Sequence, residues 1–323
     1  MSNTRAGGVE ALPSWLSVAA RRLRAITGFV TVHPNGGDRR TLAFSRYDHV
    51  LRVASLATSI SDERDSPRDE VLLLSWLHDI NRWPFAHNAE QGRFDPADNL
   101  ERFAAGRLAA DTVRQAADIG RKRVANLSPA ARAVLLADIV TGYFEDTFFA
   151  ITGLNLSPSE LPNEALDLLR IPIGDDAFLE DLQYLYLLLN KELDVARYTR
   201  EFNSIVFRCS KVFLRDHEFL ALDPLEDERF WEIRATLREE YMERQIFPLN
   251  NDKVCHGVML REAVVDPALS RLGPIAEDRL MVWTEPDLIS YALHEGLVAE
   301  ETVTALRPSL DYLRRYEPDR CFM

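Results

Sequence analysis

The chain has 323 residues, 46% of them hydrophobic and 28% charged, with a formal net charge of −13. That length and apolar fraction exclude a disordered chain and allow one large domain or two modest ones around a substantial core. The acidic balance argues against broad binding to nucleic acid or anionic membrane, so an anionic substrate would need a local cluster of Arg and Lys.

The N-terminal extension, residues 1–19, begins with a polar stretch, Met1 to Gly8, that lacks the apolar core of a signal peptide. Arg21, Arg22 and Arg24 follow; they could face a phosphate, but a solvated helix face is the commoner use of such a cluster. Thr27 to Val32 is the best strand candidate, and Pro34-Asn35-Gly36-Gly37 after it is a strong turn signal. His33, just before that turn, reads as a loop residue.

From residue 46 onward helical periodicity dominates. Val50, Val53, Ala54, Ala57 and Ile60 share one face, as do Leu72, Leu73, Trp76 and Leu77 after the acidic start Asp69-Glu70. Ala130 to Ile139, Phe178 to Leu193 and Phe230 to Arg244 give further helical patterns, with breaks around Asn155 to Asn163 and Leu222 to Glu228. The expectation is an all-α protein with a helical core over 20–225 and a C-terminal helical lobe over 226–323 packed on it. The longest apolar runs, such as Val71 to Leu77, are too short to cross a bilayer. Cys209, Cys255 and Cys321 are scattered and odd in number, which reads as reduced thiols. A soluble, cytoplasmic protein is the expectation.

The chemistry concentrates in residues 46 to 90. Arg46-Tyr47-Asp48-His49 opens an amphipathic stretch; Trp76-Leu77-His78-Asp79-Ile80 ends the next one. Trp83-Pro84-Phe85-Ala86-His87-Asn88-Ala89-Glu90 then supplies a His-x-x-Glu. A lone histidine is more often packed or solvated than a ligand, and His217, His256 and His294, without carboxylates at useful spacing, read as structural. His49, the His78-Asp79 pair and His87 with Glu90 in one stretch instead suggest one divalent metal ion beside one phosphate. Mixed imidazole and carboxylate donors suit Mn, Fe, Mg, Co, Ni or Zn without choosing among them. A fourth ligand is needed, and Asp138 in Leu135-Leu136-Ala137-Asp138-Ile139 and Asp194 in Leu193-Asp194-Val195 are the two candidates. Pattern alone leaves both open. Trp76 reads as core, whereas Trp83 could be core or could stack on a base.

These segments resemble the HD-domain deoxynucleoside triphosphate triphosphohydrolases. Ala20 to Ile26 is similar to the family's opening helix, Ser45-Arg46-Tyr47-Asp48-His49 to its first histidine motif, and Leu77 to His87 to its His-Asp block. Leu193 to Glu201 is similar to its ligand-aspartate block, and residues 235–292 are loosely like its C-terminal helices. The resemblance implies an HD-domain helical core whose metal ion is held by His49, His78, Asp79 and Asp194, with Asp138 as runner-up. It implies Arg46 and Arg82 on phosphate charge, Tyr198 against the sugar, His87 as proton donor to the leaving oxygen, and Glu90 orienting His87. The implied reaction is hydrolysis of a nucleotide substrate, a dNTP, to deoxynucleoside and triphosphate by attack on the α-phosphate, in a homo-oligomer. The chain departs from the family where Arg82 replaces a histidine, Val195 a lysine and Phe202 an aspartate. Those departures keep two alternatives in play: an HD phosphatase for nucleoside monophosphates or another phosphate ester, and a nucleotide-binding sensor or scaffold with weak turnover.

Overall fold

A computed structural model describes residues 12–35, 38–63, 67–90, 92–153, 177–188, 195–216, 224–236 and 260–303, together with 238, 239 and 244. The fold is all-α in its core, as the periodicity predicts. Helix α1 spans Ser14–Arg22, α2 Arg46–Glu63, α3 Arg68–Leu77, α4 His87–Glu90, α5 Leu100–Ala104, α6 Ala110–Gly120 and α7 Pro129–Gly153. After these come α8 at Ala177–Leu187, α9 at Val195–Asp216, α10 at Glu228–Ala235, α11 at Asp266–Leu272, α12 at Ala276–Leu280 and α13 at Glu285–His294.

The one sheet among the described residues is a hairpin. Strand β1, Thr27–Asn35, pairs antiparallel with β2, Asp38–Ser45, in a register that sets Asn35 opposite Asp38 and contains an irregularity between Thr27 and Phe29. The strand signal at Thr27 to Val32 therefore extends three residues further, and His33 sits in β1 opposite Arg40 rather than in a loop. The partner strand escaped notice because Asp38-Arg39-Arg40 masks its alternation.

The end of the hairpin fixes the start of α2. The Ser45 hydroxyl donates to Asp48 Oδ2 at 2.8 Å and the Ser45 N–H to the same oxygen at 3.2 Å, while the Asp48 N–H returns a bond to Ser45 Oγ at 3.2 Å. This reciprocal cap satisfies orphan donors of the first turn and locks the phase of the helix, so Arg46 and His49 leave it one turn apart.

Helix α7 is the central element. Ala130, Ala131, Ala133, Val134, Leu135, Leu136 and Ala137 are all fully buried, and a helix that is apolar nearly all round belongs inside a bundle. Its small residues let α2, α3, α6 and α9 approach it. Ser128 begins it, its hydroxyl accepting from the Ala131 N–H at 3.2 Å and donating to Glu70 Oε1 of α3 at 2.9 Å.

Two hydrophobic cores result. The main one gathers α1, α2, α3, α6, α7, α8 and α9, and also takes in Phe230 of α10 against Phe213. The second joins Trp83, Phe85, Ala89 and Phe94 to residues from 260 to 298, including Leu260, Val264, Leu280 and Leu288. Trp83 is core, stacked on Phe94 with ring centroids 4.5 Å apart, which removes it as a base-stacking surface. Trp76 is buried in the main core.

Arg22 corrects another expectation. It is not on a solvated face: its guanidinium is buried and donates to the carbonyls of Trp283 at 2.7 Å, Arg82 at 2.7 Å and Ile80 at 3.1 Å. Burial lowers its pKa to about 10, against the opposing pull of Glu90 and Asp287. The side chain therefore ties α1 to both the segment after the His-Asp pair and the C-terminal helices. Arg24 lies over the Tyr47 ring at 4.5 Å. No helix among the described residues is long and apolar enough to cross a membrane.

Candidate metal centre

Three helices meet at one buried point. His49 comes from the second turn of α2, His78 and Asp79 from the residues just beyond α3, and Asp138 from the middle of α7. One donor atom from each of His49, His78 and Asp79 lies within 4.8 Å of the others. Asp138 completes the convergence, with Oδ1 at 3.3 Å from His49 Nε2 and 3.8 Å from His78 Nε2.

The two imidazoles are held alike. His49 Nδ1 lies 2.8 Å from Glu145 Oε2, and His78 Nδ1 lies 2.7 Å from the Ser75 carbonyl. A carbonyl can only accept, so His78 carries its proton on Nδ1; the Glu145 carboxylate imposes the same tautomer on His49. Both Nε2 lone pairs then point at the centre, where both atoms are buried and lack a hydrogen-bond partner. Burial holds both rings in the neutral form: His78 is driven down to about 3, and His49 is lowered by burial and by Arg46 despite the opposing pull of Glu145. Neutral imidazoles with oriented, unspent lone pairs are what a divalent cation requires. This buried group could hold a metal ion.

Glu145 escaped the sequence reading. It stands seven residues after Asp138, two turns along the same face of α7, and that spacing was the available signal. Its carboxylate also accepts from Arg52, which reaches on to Asn203 of α9. Burial raises the Glu145 pKa, but Arg52 and His49 outweigh it and bring it down to about 2.

Asp79 is fully buried and gripped by two arginines. Arg46 donates to its Oδ2 through Nε at 2.6 Å and through a second guanidinium nitrogen, and Arg82 donates to Oδ1 at 2.6 Å. Burial alone would raise this carboxyl; Arg46 and Arg82 hold it well below the usual range. Arg82 also donates to Glu90 Oε2 at 2.6 Å. The other Glu90 oxygen accepts the Trp83 N–H at 2.8 Å. Burial lowers the Arg82 pKa, and Asp79 and Glu90 more than reverse it. Arg46 and Arg82 thus face the centre by way of Asp79, and Glu90 secures the Arg82-Trp83 segment.

Lys122, between α6 and α7, donates to Asp138 Oδ2. Burial and the neighbouring Arg82, Arg234 and Arg46 pull its amine down to about 7, against Asp79. A third of its side chain remains in water, which dilutes that depression.

The remaining expected residues fall elsewhere. Tyr198 is fully buried in the main core beside Phe202, with ring centroids 5.8 Å apart. The backbone of His87 opens α4, just after Phe85 and Ala86, both in the left-handed region at φ 65 and 40. The His87 side chain and Asp194 lie outside the described residues, as do His217, His256, Cys255 and Cys321. His294 ends α13, exposed. Cys209 is a buried thiol that donates to Asp181 Oδ2 at 3.9 Å.

Comparison of the chain with protein-family models and with curated proteins returns no match to either.

Proposed function

We propose that the chain is a metal-dependent phosphohydrolase of the HD type, with His49, His78, Asp79 and Asp138 as the residues that would hold the ion. The observation that carries this reading is the pair of buried, partnerless Nε2 atoms facing two carboxylates, each ring fixed through its Nδ1. Asp138 takes the place first given to Asp194 because it lies beside both rings. A divalent ion bound there would screen a phosphate's charge and lower the pKa of its water. The protein's own part is to orient the imidazoles through Glu145 and Ser75, and to keep Asp79 ionised between Arg46 and Arg82. With those donors committed to Asp79 and Glu90, the two arginines would serve an incoming anion chiefly through their positive charge. His87, one residue beyond a strained turn, is the proposed proton donor to the leaving oxygen.

The first substrate class remains a dNTP, cleaved to deoxynucleoside and triphosphate, in a homo-oligomer; this rests on the sequence resemblance. A specific observation favours a second substrate reading. Tyr198 and Phe202 are sealed in the core, so the expected sugar contact from α9 is missing among the described residues, and this supports a simpler phosphate ester.

The test is a product assay with manganese, the four dNTPs and deoxynucleoside monophosphates, with His78→Ala/Asp79→Ala as blank. Triphosphate with free deoxynucleoside, absent from the blank, supports the triphosphohydrolase. Inorganic phosphate from monophosphates alone supports the phosphatase. Saturable nucleotide binding with no product would move the chain to the sensor reading and sink the hydrolase.

A further inference from the structure

The centre's direct ion pairs balance. Among the described residues, Asp79, Glu90, Asp138 and Glu145 are met by Arg46, Arg82, Lys122 and Arg52. The four cations are not equivalent. Arg52 and Arg82 each bridge two acceptors, Glu145 with Asn203 and Asp79 with Glu90. Arg46 spends two nitrogens on one Asp79 oxygen. The arginine side chains keep 7 to 16% of their surface, whereas Lys122 keeps 33%. An ammonium has three donors on a flexible stem, and one contact, to Asp138, is seen here.

The backbone of Lys122 points the same way. Helix α6 ends with the Lys122 N–H on the Ile119 carbonyl at 3.0 Å and the Arg123 N–H on the Asp118 carbonyl at 2.9 Å. That pair of bonds puts Lys122 in the left-handed slot after the helix, at φ 58, where glycine is the usual occupant. The helix end also lies beside the centre: a Cβ on Gly120 would come into ordinary contact with the His78 carbonyl at 3.6 Å, after meeting Ala97 at 3.3 Å. A lysine thus occupies a position whose backbone favours glycine, and its amine ends on the carboxylate that faces both ligand histidines.

We propose that Lys122 is a substrate-binding residue at the mouth of the centre, whose ammonium exchanges Asp138 for an oxygen of an incoming phosphate. It would help set a preference for a highly charged phosphate group over neutral or monoanionic ligands. This rests on the metal-dependent phosphohydrolase reading above.

The experiment is calorimetric titration of the full chain with Mn²⁺, then of the Mn²⁺-loaded chain with inorganic phosphate and tripolyphosphate, for wild type, Lys122→Met and Lys122→Arg. In Lys122→Met, phosphate affinity falls by roughly tenfold or more, the worth of a charge-assisted contact. Mn²⁺ affinity rises by about two- to tenfold because a neighbouring positive charge is gone. Lys122→Arg restores much of the phosphate affinity. Opposite signs for the two ligands separate this role from general damage, which would weaken both. Lys122→Gly, suited to the left-handed slot, must show the same opposite signs; that guards against a folding fault in the Met variant. Unchanged phosphate affinity in a wild-type-like fold overturns the role of Lys122 alone. A wild-type chain that binds no Mn²⁺, or binds Mn²⁺ but neither phosphate, overturns the underlying reading as well.

Discussion

The two regions that would share one reaction are built by different means. The group that could hold a metal ion stands on α2, α3 and α7, whose apolar faces close the main core, and each ring there is fixed by a bond to its Nδ1. The segment from Trp83 to Glu90, which contains His87, puts Trp83, Phe85 and Ala89 into the second core. It turns through two non-glycine residues in the left-handed region, an arrangement of order 1–3 kcal/mol per residue that survives only where its surroundings enforce it. Its N–H groups are held by Glu90 and by Glu285, 200 residues away. The centre is therefore set by the packing of α7 against α2 and α3, and the segment beside it by the C-terminal helices. Ligand binding and turnover should be separable by mutation.

Acid should break the first region before the second. His49 and His78 are lowered in the fold, so below an unfolded pKa of about 6.5 the unfolded chain binds protons that the native chain refuses. Their contribution is complete above that value and is lost as the pH falls towards about 3 for His78. Asp79 and Glu145 are lowered carboxylates, so their contribution is present above about 4 and fades below it. For protein kept in chelator, denaturant unfolding should lose up to about 1.4 kcal/mol per pH unit per histidine between pH 6.5 and 5. Flat stability over that window would mean that the rings are not held neutral.

Asp138→Asn should strike the same region with a smaller effect. It keeps the shape and removes the charge beside both Nε2 atoms. Mn²⁺ affinity by calorimetry should fall by more than about 100-fold, since losing even a group that only orients a ligand costs roughly 10- to 100-fold. Asp194→Asn is the control. A large loss there with little at Asp138 would return the fourth ligand to the residue that the family resemblance implies.

That contrast shows how far the chain can be read without its fold. His49, His78 and Asp79 were legible because capping and helical phase operate over a few residues: Ser45 and Asp48 set the start of α2, and Asp69-Glu70 that of α3. Asp138 was visible only as one of two aspartates, since sequence spacing does not say which helix crosses the centre. Glu145 was missed because its contacts, to His49 and Arg52, lie 96 and 93 residues away, and Lys122 because its contact with Asp138 spans a loop between two helices. Tyr198 was assigned to the sugar by resemblance, yet the packing of α9 against α7 and α8 buries it. The β2 strand failed for the opposite reason: its charges hide an alternation that pairing with β1 makes obvious.

Glu285→Ala tests the second region and should have the smallest effect on stability. The Glu285 carboxylate is fully buried at the first turn of α13, whose N-cap is Thr284, and accepts the Phe85 N–H at 2.9 Å. Partial positive charge at a helix start favours a carboxylate there, so α13 holds the very group that holds the turn. Removing it leaves a buried N–H without its acceptor, at a cost of about 1–3 kcal/mol in denaturant unfolding. The left-handed pair at Phe85 and Ala86 would then relax, and His87 with it. Mn²⁺ affinity should stay within about threefold of wild type, since the bonds that fix each ring are untouched. If the proposed phosphohydrolase reading holds, turnover should drop at least tenfold, chiefly in kcat, because misplacing the proposed proton donor His87 would cost the transition state rather than binding. Glu285→Gln, which retains an acceptor oxygen, should recover most of that rate. If Glu285→Ala instead lowered Mn²⁺ affinity as strongly as Asp138→Asn, the two regions would be one cooperative unit, and the C-terminal helices would be part of the metal centre's own support.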